Sequence, residues 1–170
     1  DALNQVMHAN MLALQGPDYT AGEQQAARRM WDAISADDID NAGKNLGAVL
    51  RNPTPLFAGV APYEPGKAEI TYGSTDVGDV SWVTPTAQCW GACYAYGTPF
   101  HSWQMVAQGK LSLAHKGMVH AAKIIAATAA DLYTQPETLA RAKEELQETR
   151  RGQPYVCPIP ADVLPSFMRK

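Results

Sequence analysis

Residues 105–133 restrict most what this chain can fold into. Leu111, Ala114, Met118, Ala122, Ile125, Ala129 and Leu132 recur there at helical spacing. Alanine also fills positions 121, 122, 126, 127, 129 and 130. The pattern predicts the longest helix of the chain, with a face of small side chains. Such a face packs closely on a neighbouring layer, and the expected layer is a sheet. Residues 86–96 are apolar and aromatic enough to be its central strand, with Gly91 marking a close backbone approach. Residues 68–72 read as a short strand leading into the Gly73 turn.

The rest of the chain reads as helices and cover. Leu3, Val6, Met7, Met11 and Leu14 predict a helix over 2–15, stopped by Gly16-Pro17. Thr20-Ala-Gly-Glu23 is a capping-box pattern opening a second helix with Ala27, Met30, Trp31 and Ile34 on one side. Asp37-Asp38-Ile39-Asp40 reads as a solvated acidic turn, because neither the glycine nor the closing glutamate of a calcium loop follows. Residues 41–67 carry eight glycines and prolines and read as a long cover loop. Thr134-Gln-Pro-Glu137 predicts a second capping box, with Pro136 in the first turn of a helix that runs to about residue 150 and ends at Gly152. The tail, residues 154–170, contains four prolines and is expected to wrap over the surface. Two or three strands are too few for these helices. Together with a start on Asp1 rather than methionine, that predicts a piece of a longer protein, incomplete as a domain on its own.

Composition removes several functions. With 46% hydrophobic and 18% charged residues the chain is too apolar to be disordered. Its net charge of −3, with no basic block beyond Arg28-Arg29 and Arg150-Arg151, argues against a nucleic-acid partner. The longest apolar region is interrupted by His120, Lys123 and Thr128, so no membrane span is expected. Three cysteines, Cys89, Cys93 and Cys157, are an odd number and lack metal spacing. They read as buried thiols in a reducing, cytoplasmic setting.

Four histidines are the candidates for chemistry. His8 stands one turn from Met11 and Leu12 and reads as a packed residue. His115 and His120 are five apart, about 140° around a helix, so they do not share a metal. His101 differs. It follows Pro99-Phe100 at the entrance to the long helix, where a ring nitrogen can face a cleft as a ligand or base. Upstream, the Gly73-Ser74-Thr75-Asp76 turn carries a second carboxylate, Asp79. A smaller possibility is a cysteine hydrolase pairing Cys93 or Cys89 with His101, which needs a thiolate-stabilising helix terminus that a strand does not provide.

Residues 73–82, GSTDVGDVSW, and 98–105, TPFHSWQM, resemble the carboxy-terminal half of the M20 metallopeptidase/amidohydrolase family. The likeness runs over nearly the whole chain and is most specific between 73 and 105. It implies an α/β fold: the carboxy-terminal half of a Zn-peptidase-like mixed sheet flanked by helices. Within one unit, 1–170, residues 1–35 would be a helical re-entry segment and 36–67 a loop-rich segment. Residues 68–105 would hold strand and site, and 105–170 the terminal helices and tail. The resemblance further implies hydrolysis of an N-acyl amino acid amide at two divalent metals, zinc or manganese. His101 would be a metal ligand, while Gly73, Ser74, Thr75, Asp76 and Asp79 would line the substrate, with either aspartate in the functional place. No catalytic residue is expected in this chain. The family's His-x-Asp motif is absent, and its Glu-Glu pair has one lookalike, Glu144-Glu145, on what reads as a solvated helix face. The expected partners are the amino-terminal half of the catalytic domain, a lid/dimerisation domain, and a homologous A subunit or a second copy. The alternative is a non-catalytic binding or assembly module that keeps the fold without the metal site.

Overall fold

The computed structural model describes residues 1–45, 53–66, 75–160 and 162–164. Among these the chain is helical, with no strand, which overturns the expected α/β mixed sheet. The helices are α1 (Ala2–Leu14), α2 (Ala21–Trp31), α3 (Ala36–Asn45), α4 (Val77–Val83), α5 (Trp103–Gln108), α6 (Ser112–Thr134) and α7 (Pro136–Arg150). Residues 86–96, expected as the central strand, form an irregular segment laid along α6. The strand expected over 68–72 lies outside the described residues.

Local chemistry accounts for most helix starts. Thr20 and Glu23 close the expected capping box at α2: the Glu23 amide donates to the Thr20 hydroxyl, and the Thr20 amide to the Glu23 carboxylate at 2.8 Å. The acidic run at 37–40 is the start of α3 rather than a turn. Ser35 caps it, accepting from the Asp38 amide at 3.1 Å and donating to the Asp38 carboxylate at 2.7 Å. The box expected at 134–137 does not form. Thr134 ends α6, its hydroxyl donating to the Ala130 carbonyl, and Gln135 precedes Pro136 at the head of α7. The single helix expected over 105–133 breaks at Gly109-Lys110-Leu111 into α5 and α6. The break frees Gln108 to turn its amide into the interior.

Helix α6 is the spine. It packs against α1, α2 and α7, and α1 also lies on α7. Tyr19, Ala27, Ile34, Leu56, Ala95 and Leu113 form a core that joins α2 and α6 to loop residues on both sides. The Lys116 ammonium fastens α6 to α2, donating to the Glu23 carboxylate and to the Asp18 carbonyl, both at 2.8 Å. The Lys116 hydrogen bond, followed by that of the Thr20 amide, holds the Glu23 carboxyl down to about 2.

The predicted apolar stripe of α6 is only partly the buried one. Leu113, Gly117, Ile124 and Thr128 are buried, whereas Met118 (61% exposed), Ile125 (56%) and Tyr133 (90%) face outward with Ala122. The helix is apolar nearly all round, so periodicity alone does not choose its inner face. No helix among the described residues is long and apolar enough to cross a membrane.

The close approach expected at Gly91 lies instead at Gly117. A Cβ on Gly91 would make ordinary 3.8 Å contacts, but one on Gly117 would stand 2.7 Å from the Ala92 carbonyl oxygen and from Cys93 Sγ. Gly117→Ala would ordinarily gain about 1 kcal/mol in helix propensity. Here overlap with backbone costs roughly 1–3 kcal/mol, so thermal unfolding should show net destabilisation. Gly22→Ala in α2, whose Cβ meets nothing closer than 3.9 Å, should gain about 0.5 kcal/mol. The same sign for both variants would show that residues 92–93 do not rest on α6.

Candidate functional site

Residues 86–102 are held by side chains and by one long-range backbone bond, from the Tyr96 amide to the Pro55 carbonyl at 2.9 Å, rather than by a strand ladder. The Tyr19 hydroxyl donates to the Ala92 carbonyl, and burial is the main reason that this phenol is pushed up to about 12. The Ala95 amide donates to Gln108 Oε1 at 2.6 Å. Gln108 Nε2 donates in turn to the Thr98 hydroxyl at 2.9 Å and to the Gln104 carbonyl at 3.2 Å, while the Thr98 hydroxyl donates to the Ala95 carbonyl at 2.6 Å. Gln108 is fully buried, and its bonds to Ala95 and Thr98 tie the loop to α5. Next to it, Gly97 turns the chain with φ +82, and a Cβ there would stand 2.9 Å from Ile39 Cγ1. Only glycine satisfies both conditions.

This frame delivers His101 at an exposed turn immediately before the Ser102 cap of α5, where the Met105 amide donates to Ser102 Oγ at 3.2 Å. His101 has φ 59, a left-handed conformation unusual for a residue with a Cβ, though histidine tolerates it better than most. The expected strand-to-helix junction is thus a loop-to-helix junction. Around it, Phe100 packs edge-on to Tyr94 with ring centroids 6.0 Å apart and lies 6.4 Å from Trp90.

The other expected site residues separate. Gly73 and Ser74 lie outside the described residues. Thr75, Asp76 and Asp79 are exposed at the start of α4. The Thr75 hydroxyl accepts from the Val77 amide at 3.3 Å, and Asp79 accepts from the Tyr155 hydroxyl at 2.8 Å. That bond to Asp79 is the first cause of the raised pKa of the phenol. Asp76 caps α4 in position only, without a side-chain bond to the helix. The structure therefore gives Asp79 a structural partner and leaves Asp76 the less committed carboxylate.

No group of three or more His, Cys, Asp or Glu side chains among the described residues could hold a metal. His8 donates Nε2–H to the Ala61 carbonyl at 3.0 Å and stacks near Tyr63, a packing role. Of the Glu144-Glu145 pair, Glu144 is exposed as expected, while the half-exposed Glu145 accepts from the Ala2 amide at 2.9 Å at the start of α1. Burial pushes the Cys89 and Cys93 thiols up, opposite to what a nucleophile needs, and Cys157 is exposed rather than buried as expected. A shallow groove of about 240 Å³ between α1, α4 and α7, lined by Leu3, Ser81, Thr86 and Leu146, includes none of the expected site residues.

Sequence patterning gives little warning of Gln108, which reads as one more polar position in a long helix. The available signal is Gly109, one residue on, as a helix stop. Gln108→Leu keeps the volume but leaves the Ala95 amide buried without a partner, a cost of roughly 1–3 kcal/mol. The variant should melt earlier by about 2–12 °C, at about 2–4 °C per kcal/mol for a chain of this size. An unchanged melting temperature would mean that the amide clamp does not hold the loop.

No family model and no solved structure matches the chain. Over 163 residues it is 39% identical to one of the subunits of p-aminobenzoyl-glutamate hydrolase from Escherichia coli (strain K12). The alignment covers 90% of this chain and 34% of that protein, so the chain spans about a third of the length of the relative it matches.

Proposed function

We propose that this chain is the carboxy-terminal part of a metal-dependent amidohydrolase of M20 type. The substrate would be an N-acyl amino acid amide such as p-aminobenzoyl-glutamate, cleaved in the cytoplasm. The observation that carries the reading is the 39% identity, over nearly the whole chain, to a protein named for that hydrolysis. The exposed, left-handed placement of His101 supports it, because unusual backbone conformations recur where a side chain must point away from its own fold.

Zinc or manganese is the cofactor that the resemblance implies, two ions to a complete site. The donors among the described residues do not fit such a site on their own, since they form no cluster of three. No catalytic step is therefore derived through a metal. What this chain offers is one exposed imidazole at His101, a side chain of the type that ligates such ions. It also offers the Asp76 carboxylate at the entry to α4, while Asp79 keeps the tail in place through Tyr155. The remaining donors would come from the amino-terminal half of the catalytic domain and the lid domain, within the two thirds of a relative-length protein that this chain does not span. A homologous A subunit or a second copy would complete the assembly. A second reading, a non-catalytic assembly module, draws on the uncovered apolar side of α6 at Met118, Ile125 and Tyr133.

In the longer protein that carries this chain, His101→Ala should lower bound zinc or manganese and cut hydrolysis of an N-acyl glutamate by at least about 100-fold. His115→Ala and His120→Ala should stay within a few-fold. Metal content by mass spectrometry and a stopped amidase assay read both effects. An equal loss in all three variants contradicts the role of His101, and an active His101→Ala enzyme favours the assembly reading.

A further inference from the structure

We propose that the rings of Trp90, Phe100 and Tyr94 form a shelf that takes the planar aryl acyl half of the amide, so that they select aryl over aliphatic substrates. The identity of the ligand rests on the proposed function; the shelf itself rests on ring geometry. Trp90 is 63% exposed and Phe100 60%, yet the two rings are in contact, 6.4 Å between centroids and 34° between planes. Tyr94 is half-buried and meets Phe100 edge-on at 76°, so it supports that ring from beneath. Isolated exposed aromatics need no explanation, but contiguous rings propped on a rigid loop form a patch that normally meets something.

The geometry decides how a ring would bind. A flat group inserted between Trp90 and Phe100 would need roughly 7 Å, two carbon–carbon contact distances, more than the observed separation. A ligand ring therefore lies across their outward faces, offset-stacked at about 4.5–7 Å. An aliphatic acyl chain gains only apolar contact there, whereas an aryl group also gains the quadrupole complementarity of stacked rings. The clamp of Gln108 on Ala95 and Thr98 fixes the loop between Tyr94 and Phe100, and so the Tyr94–Phe100 part of the shelf.

The test uses p-aminobenzoate and cyclohexanecarboxylate as probes on the chain itself, followed by the indole resonance of Trp90 and the ring resonances of Phe100. p-Aminobenzoate should shift both saturably at roughly millimolar concentration, as expected for a ligand of its size, and cyclohexanecarboxylate should not match it. Trp90→Ala should weaken binding about 3- to 10-fold, and Trp90→Phe should restore most of it. Because Trp90 is largely exposed, backbone amide dispersion should be unchanged in both variants. No saturable shift, an equal response to the two acids, or unchanged affinity in Trp90→Ala overturns the shelf. In the longer protein, Trp90→Ala should raise KM for N-benzoyl-glutamate and leave that for N-acetyl-glutamate within about two-fold, by the same single-ring magnitude. If the protein cleaves neither compound while the shifts persist, the proposed function falls and the shelf stands.

Discussion

One buried amide organises the region that matters. Gln108 is fully enclosed, and its oxygen and nitrogen are both bonded to polar groups that would otherwise be stranded. A buried backbone N–H without a partner is costly, so the Ala95 amide can leave water only because Gln108 Oε1 meets it. With that bond in place Ala95 packs into the core beside Leu113, Gly97 turns against Ile39, and His101 emerges at the surface. The break between α5 and α6 follows directly after Gln108, at Gly109-Lys110-Leu111.

Much of the helical framework is legible in the sequence. Helices α1, α2 and α7 announce themselves by periodicity, by the Thr20–Glu23 box and by Pro136, all of which are local signals. Residues 86–96 mislead because β propensity measures fitness for a pleated, half-buried surface. Here the same aromatic and small residues have half-buried surroundings of another kind. Their backbone groups bond to Tyr19 and Gln108, 73 and 13 residues away, rather than to a neighbouring strand. Ser35-Ala-Asp-Asp38 carries a readable cap that its acidity outweighs. For the site, the position of His101 before a helix is readable, but the bond from Tyr155 to Asp79 spans 76 residues and leaves no local trace.

The outward face of α6 and the partial coverage of the relative point the same way. A helix apolar all round is stable when both sides are covered, and here one side is covered by α1, α2 and α7. On the reading proposed above, the exposed Met118–Ile125–Tyr133 side would be a seat for another part of the assembly.

Residues 86–96 are a loop pinned at single points and not a strand, and the placement of His101 depends on it. Native-state amide hydrogen exchange resolves the two directly, because protection follows the hydrogen-bond partner of each amide. The Ala95 amide should exchange as slowly as those in the middle of α6, while the amide of Trp90 should exchange close to the rate of an open chain. Regularly alternating protection across residues 86–96, the signature of an edge strand in a ladder, would contradict the pinned loop.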